Sequence, residues 1–511
     1  MEVLIMIACT IEKLLKYAKY HLDLSELDEL YIRNILMRKL KVATPYTGNV
    51  DDEEIKSMIV PDSLIDELKT YIKNEHIVED ENVELFITEL MGDITPMPSE
   101  VVRKFNSLSD KQKAFDYLYN LQIKNNYIQK TAVDKNLLWI ADFNDKYLEI
   151  SINLSKPEKK NSDIAKLVKN TINSDEKYPK CLLCKENLGF AGHSSHPARE
   201  NIRFIPITLD NTSWFVQYSP YVYYNQHCIV IDSEHKNMTM GRAKFQKLLD
   251  FVDSFPCYFI GSNSELPIVG GSILNHEHFQ GGKHILPIMK ATNELEFSCN
   301  KYNQCRLSYL NFFNSTIKIE SSDKKQILEL MDTIYEAWRT YDNKEIDIIS
   351  HDEKGQHNTV TPIVRKVDNT YIAYLVLRNN CVSSKYPDGI FHAHKEYHNI
   401  KSEGIGLIEA SGLYILPARL KRQLNEIENI LCGEHEIETF IKENNDYEIH
   451  RQFIYDLVSK YGRNNTKDKA HDIVVSGVNE ICAKILDNTA VFKHTEDGTK
   501  HLIQFINTIK K

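Results

Sequence analysis

Residues 270–282 read Gly270-Gly271-Ser272-Ile273-Leu274-Asn275-His276-Glu277-His278-Phe279-Gln280-Gly281-Gly282. On an extended strand, successive side chains alternate between faces. A strand here puts His276, His278 and Gln280 on one face and Glu277 and Phe279 on the other. The flanking glycines let a ligand approach the backbone closely. Two imidazoles and an amide side by side suit nucleophilic chemistry on a phosphoryl group. A lone His-x-His pair equally fits a metal arm or a chance strand pattern. A nucleophilic histidine must present one unprotonated ring nitrogen while a hydrogen bond to the other holds the tautomer. Asn263, Gly271 and Ser272 offer donors for phosphate or ribose oxygens, although a plain turn uses Gly270-Gly271 as well.

Working outward, a chain of 511 residues is too long for one ordinary core and predicts two or three domains. Its 62 basic and 72 acidic residues give a formal charge of -10, which argues against broad nucleic-acid binding but leaves room for local basic pockets. The apolar start, Met1 to Ile11, is short and runs directly into Glu12, Lys13, Lys16 and Lys19. It lacks the pattern of a cleaved leader, and no stretch approaches a membrane span, so the expected compartment is the cytoplasm, with no membrane partner. Ten cysteines contain a single close pair, Cys181-Leu182-Leu183-Cys184, which predicts reduced thiols rather than a disulfide framework.

Apolar spacing predicts one or two helices over residues 10–42 and further helices at 61–74 and 98–105. Ser109 with Gln112 resembles a capping box for a helix through Asn120. The first 130 residues therefore read as mainly helical. Short strands are expected at 137–140 and 147–152, and a β-rich, aromatic stretch at 203–231. A helix over 241–255 and a strand at 257–260 then lead to the histidine segment, an α+β order. Helices at 322–341, 451–460 and 469–485 and a strand at 370–377 complete the reading.

Several polar groups carry competing explanations. Cys181-x-x-Cys184 has the spacing of a zinc half-site with His235 and His276 as candidate partners, and two ordinary thiols fit about as well. His193, His196, Arg199 and Arg203 precede Gln217, Tyr218, Tyr221, Tyr223 and Tyr224. Arginine holds phosphate oxygens through paired donors and aromatic rings pack on a base or sugar, but a solvated loop leading into a core strand explains the tyrosines equally. Lys156, Lys159 and Lys160 fit a solvated face or an anion-binding edge. His351, His357, His392, His394 and His398 make a second concentration in which His392-Ala393-His394 repeats the one-face strand geometry. A polar substrate wall or structural histidines are favoured there over a second metal. Glu409 suits sugar hydroxyls, since a buried carboxylate must find partners or take up a proton.

These motifs together resemble the galactose-1-phosphate uridylyltransferases, in their longer bacterial class, within the histidine-triad-like superfamily. The resemblance covers nearly the whole chain. It runs through Ile152-Asn153-Leu154-Ser155-Lys156-Pro157-Glu158-Lys159, His196-Pro197-Ala198-Arg199-Glu200-Asn201 and Tyr218-Ser219-Pro220-Tyr221-Val222-Tyr223-Tyr224-Asn225. It continues in Asn275-His276-Glu277-His278-Phe279-Gln280-Gly281-Gly282, His357-Asn358-Thr359-Val360-Thr361-Pro362 and Phe391-His392-Ala393-His394. It implies an α+β fold of two histidine-triad-like sheet units with a mainly helical N-terminal extension. The expected division is 1–130 helical, 131–300 catalytic, and 301–511 a second unit with a helical C-terminal region.

The resemblance further implies a ping-pong exchange between UDP-glucose and galactose 1-phosphate, yielding glucose 1-phosphate and UDP-galactose, with a homodimer as the family expectation and no organic cofactor. His278 becomes the nucleophile that is uridylylated, and Gln280 the donor to a nonbridging phosphoryl oxygen. By the pattern of the shorter class, Cys181, Cys184, His235 and His276 are the zinc ligands. Asn263 matches a ribose or phosphate contact, Glu409 a hexose contact, and His392 and His394 the region of a second metal. That class's arginine-rich N-terminal phosphate motif has no counterpart here, so Arg199, Arg203 or Lys156 supplies the positive charge. Glu277 stands where the family has proline. Competing functions are a nucleotide-sugar phosphorylase or hydrolase working through the same intermediate, and a noncatalytic nucleotide-sugar binding module.

Overall fold

The computed structural model describes residues 2–155, 178–353 and 355–509. The expected N-terminal helices are two, Glu2–His21 and Glu26–Lys39, separated where the Ser25 side chain accepts a hydrogen bond from the Asp28 backbone N–H. Such a cap satisfies one of the donors a helix start leaves open. Helices Asp62–Asn74 and Pro98–Ser107 follow the periodic apolar spacing, and Val83–Asp93 adds one that the spacing did not single out. The next helix, Lys111–Lys124, is capped by Asp110 rather than Ser109: the Asp110 carboxylate accepts from the N–H groups of Gln112 and Lys113. A carboxylate there also meets the positive end of the helix dipole, which a hydroxyl does more weakly.

The chain divides into two compact units that do not follow chain order. The first combines Met1–Asp134 with Lys159–Val222 and Gln226–His235. Beyond its helices it holds three antiparallel strands, Ile205–Leu209, Thr212–Tyr218 and Cys228–Asp232. The first two are joined through Asp210 and Asn211, both at positive φ (44° and 57°), the backbone a tight two-residue hairpin requires. Trp214, Phe215 and Val216 are buried between them.

The second unit takes in Lys135–Glu158, Tyr223–Asn225 and Lys236–Lys511. Seven of its strands lie antiparallel in the order His278–Gly282, Phe259–Gly261, Asn358–Val367, Thr370–Asn379, Thr316–Ser321, Arg306–Leu310, Asn293–Phe297. Helices Arg242–Ser254 and Lys324–Arg339 pack on this sheet through Phe245, Leu248, Val252, Ile327, Met331 and Ile334, all buried. Asn358–Val367 sits centrally although Pro362 cannot donate to a ladder. Its carbonyl still accepts from the Ser262 N–H at 3.0 Å.

A smaller sheet pairs Leu137–Asp142 antiparallel with Tyr147–Asn153, which runs parallel to Leu413–Pro417. That parallel pairing joins Glu149–Asn153 to Leu413–Pro417 within the second unit. Helices Arg419–Leu431, Arg451–Tyr461, Lys467–Asn488 and Glu496–Ile509 close the chain. Among the described residues, no helix is long and apolar enough to cross a membrane. The fold is α+β, with a helical N-terminal region.

One carboxyl in the first unit carries a pH dependence. Burial, aided by Glu89, pushes Glu200 up to about 7, and its Oε2 has no partner among the described residues. A carboxyl with a raised native pKa costs stability as pH climbs from its unfolded value through its folded one. Glu200→Gln should therefore raise the melting temperature at pH 8 and change it less at pH 5. Equal shifts at the two pH values in thermal melts would contradict this.

Candidate active site and metal centre

The strand carrying the nucleophile candidate begins at His278, so His276 lies just before it rather than on its face. Within the strand, His278 and Gln280 keep the expected alternation. Gly281 and Gly282 pair with Ile260 and Phe259, and Gln280 with Gly261. His278 is buried, and its Nδ1 lies 2.8 Å from the His276 carbonyl oxygen. A carbonyl only accepts, so Nδ1 carries the proton and Nε2 keeps its lone pair. Burial pulls the imidazole down to about 4; the His276 carbonyl opposes that shift and Lys244 adds to it. At neutral pH the ring is uncharged and has one free nucleophilic nitrogen.

Beside the end of the neighbouring strand, buried Asn263 accepts the Leu407 N–H through Oδ1 at 2.8 Å. A Cβ on Gly271 would come within 2.5 Å of Asn263 Nδ2, so only glycine lets the amide lie against that backbone. Ser272 is exposed in the same loop. Glu409, in the short helix Leu407–Ala410, accepts from Lys401 Nζ at 3.0 Å. Lys401 also donates to the Ile415 carbonyl at 3.1 Å. Arg378, fully buried, reaches the Ile405 carbonyl through Nη2 at 2.8 Å, and burial draws it down to about 10. The Ile405 N–H lies 3.3 Å from His392 Nε2. Segment 405–409, a turn leading into the helix Leu407–Ala410, thus carries one carboxylate and is tied to two cations and to the His392 imidazole, which burial draws down to about 4. Lys401 and Arg378 went unnoticed in the sequence because isolated basic residues carry no motif.

Cys181 Sγ and Cys184 Sγ lie 3.6 Å apart, and Cys184 Sγ lies 3.2 Å from His235 Nδ1. With His276 they offer four ligand atoms that all fall within 4.8 Å of one another. Thiolates bound at roughly 2.3 Å to a tetrahedral ion stand about 3.8 Å apart. The observed spacing fits that edge, and two sulfurs with two imidazoles are a zinc donor set. Burial, with Cys181 close by, raises the Cys184 thiol to about 11, so a metal would have to displace its proton. Zinc held by all four would have no open position and would act as a structural clamp. Asn187, another residue without a motif, braces the knuckle: Nδ2 donates to the carbonyls of Cys181 (2.9 Å) and Cys184 (2.7 Å), and Oδ1 meets His196 Nε2 at 2.6 Å.

Comparison with known proteins decides the kinship. The family model for the N-terminal domain of galactose-1-phosphate uridyl transferase matches residues 31–237, and that for the C-terminal domain matches residues 251–445. The chain belongs to the galactose-1-phosphate uridylyltransferase family. Curated uridylyltransferases of that name from Caldanaerobacter subterraneus and Fusobacterium nucleatum are 42% and 39% identical, over 98% of this chain and 97% and 99% of theirs. The one from Bacillus subtilis is 37% identical over 98% of this chain and 97% of its own length. Among solved structures, yeast Ap4A phosphorylase Apa2 shares 10% identity at a TM-score of 0.30, covering 60% of this chain and 89% of its own.

The remaining residues singled out by the sequence are not among the four of the metal cluster. Arg199 is half-buried, 5.7 Å from the Tyr127 ring, with Nη1 on the Ala198 carbonyl. Arg203 is buried, and four of its donors go to the carbonyls of Pro96, Glu200, Ile202 and Thr95. That pattern makes it a tie between its own loop and residues 95–96. Lys156, Lys159 and Lys160 lie outside the described residues. His392-Ala393-His394 is not a strand: the His394 ring stacks on Tyr386 at 4.0 Å and its Nε2 meets the Ile390 carbonyl. His357 is held between Asn380 Oδ1 (2.7 Å) and Asp352 Oδ1 (3.0 Å). Among the described residues, the cluster at Cys181 is the one group of three or more such side chains close enough to share an ion.

Protein purified without added metal should contain a single zinc per chain by elemental analysis, and Cys184→Ser should lose it. Metal-free, folded wild-type protein would refute the clamp.

Proposed function

We propose that the chain exchanges UMP between UDP-glucose and galactose 1-phosphate by a ping-pong route through a uridylyl-histidine at His278. The observation that carries this reading is the His278 imidazole itself, buried and neutral, with Nδ1 occupied by the His276 carbonyl. Nε2 attacks the α-phosphorus of UDP-glucose, and the bond from that phosphorus to the bridging oxygen breaks, releasing glucose 1-phosphate. A phosphate oxygen of galactose 1-phosphate then attacks the same phosphorus, the bond to Nε2 breaks, and UDP-galactose leaves. Gln280, two residues along the strand, donates to a nonbridging oxygen whose charge grows in each transfer.

Asn263, Gly271 and Ser272 contact ribose or phosphate in this reading, and Glu409, oriented by Lys401, takes hexose hydroxyls. Arg199 and Lys156 supply positive charge for phosphate. Arg203 enters by shaping the loop that carries Arg199, since its own donors are largely taken. The accompanying fold reading is of two histidine-triad-like sheet units, and the assembly expected with it is a homodimer.

Intact wild-type protein incubated with UDP-glucose should gain the mass of one uridylyl group, and His278→Ala should gain none. An adduct of the same yield on His278→Ala would sink the assignment. Galactose 1-phosphate should discharge the adduct far faster than inorganic phosphate or water, which separates transferase from phosphorylase and hydrolase. Gln280→Ala should lower kcat by about 10²- to 10³-fold, the usual effect of losing one donor to a developing oxyanion, with a smaller change in KM. Steady-state kinetics with both substrates read this out.

A further inference from the structure

The back of the nucleophile's strand is gripped by one buried lysine. Lys244, in the first turn of helix Arg242–Ser254, has a side chain only 2% exposed, and its Nζ lies 2.9 Å from Glu277 Oε1. The Glu277 side chain is 6% exposed. The same Nζ sits 5.6 Å from the centroid of the Phe279 ring. Glu277 and Phe279 flank His278 in sequence; Phe279, the next residue of the strand, faces away from it by alternation, and Glu277 meets the same lysine. One cation thus holds the residue before the nucleophile by an ion pair and the residue after it by its ring face.

Further bonds spread this grip over the neighbouring segments. Glu277 Oε2 accepts the Thr239 N–H at 2.8 Å, and the Glu277 N–H donates to the Lys236 carbonyl at 2.7 Å. The Met238 N–H donates to the Leu274 carbonyl at 2.8 Å, so residues 236–239 are laced to the approach of the triad. Lys244 Nζ also donates to Ser262 Oγ at 3.0 Å, and that hydroxyl donates to the Asn263 carbonyl at 2.8 Å. Ser262 directly follows Phe259–Gly261, the strand paired with His278–Gly282. Helix, loop, partner strand and nucleophile strand therefore meet at one ion pair.

We propose that Lys244 and Glu277 are positioning residues for uridylyl transfer: their buried ion pair fixes the depth and direction of His278 Nε2 from behind. A buried charge pair has few competing partners, and its short, directed contacts leave little slack. An in-line attack loses rate steeply when the nucleophile moves by a fraction of an ångström to an ångström. The inference rests on the reading of His278 as the nucleophile, and the experiment separates the two.

The measurement is the rate at which the uridylyl adduct forms on the full chain after rapid mixing with UDP-glucose, with the melting temperature recorded for each variant. Glu277→Gln keeps an acceptor for Thr239, and Lys244→Met keeps the bulk of the lysine stem. Each should form the adduct about 10- to 100-fold more slowly, with KM for UDP-glucose within about threefold of wild type, and each should melt lower. The double variant Lys244→Met/Glu277→Gln leaves no unpaired charge, so its melting temperature should recover while adduct formation stays slow. A double variant with both stability and adduct rate restored would show that the pair serves stability alone and would overturn the proposal. So would single variants that form the adduct at the wild-type rate. Wild-type protein that takes up no uridylyl group would instead overturn the reading of His278 itself.

Discussion

A buried imidazole has one proton and one lone pair to place, and in this protein the His276 carbonyl places them. By accepting from Nδ1 of His278, it leaves Nε2 as the ring nitrogen that keeps its lone pair. Burial keeps the ring uncharged. Neither condition suffices alone: an exposed ring would be partly protonated near neutrality, and a buried ring without a fixed tautomer would divide its lone pair between two directions. Chain geometry makes the arrangement possible. His276 lies just before the strand that His278 opens, so its carbonyl can turn back to the ring two residues on.

Elsewhere each unit accepts expensive burials of its own. Arg378 and Lys401 are removed from water near Glu409, and Arg203 is buried within its own loop. Arg203 is held by carbonyl oxygens, Arg378 by the Ile405 carbonyl and the Thr361 hydroxyl, and Lys401 by a carboxylate and a carbonyl. These bonds order the irregular segments around the cations, because a donor left unpaired in a dry interior is costly; Arg378 Nε alone of their donor nitrogens is buried without a partner among the described residues. Loop 405–409 and the loop at Pro96 and Glu200 owe their definition to such ties.

Much of the helical architecture was legible because helix formation is local. The apolar stripes behind Asp62–Asn74, Lys324–Arg339 and Lys467–Asn488 recur every three or four residues, and the helices fall within a few residues of where that period places them. The misplacements have local causes too. Ser109 and Asp110 both fit a cap, and the carboxylate wins at the helix dipole. His392-x-His394 has the spacing of a one-faced strand, yet His394 is taken up by Tyr386 and the Ile390 carbonyl. The spacing of the His-x-His-x-Gln motif suits a single strand face, whereas the ladder starts only at His278.

The amino-acid sequence by itself determined the helical N-terminal region and the α+β order, which follow from residue type, period and spacing, properties of neighbours along the chain. Its motifs carried the resemblance, and the set Cys181, Cys184, His235 and His276 came with that resemblance rather than from spacing. Only the tertiary structure decided which nitrogen of His278 is free, which arginines have donors left to offer, and that Glu277 is gripped by Lys244 from behind the strand. Each depends on the distance and burial of groups brought together from separate segments, or on where a strand begins in space. Dielectric environment and hydrogen-bond direction have no signature in a linear pattern, and in this protein they fix which nitrogen of His278 keeps its lone pair.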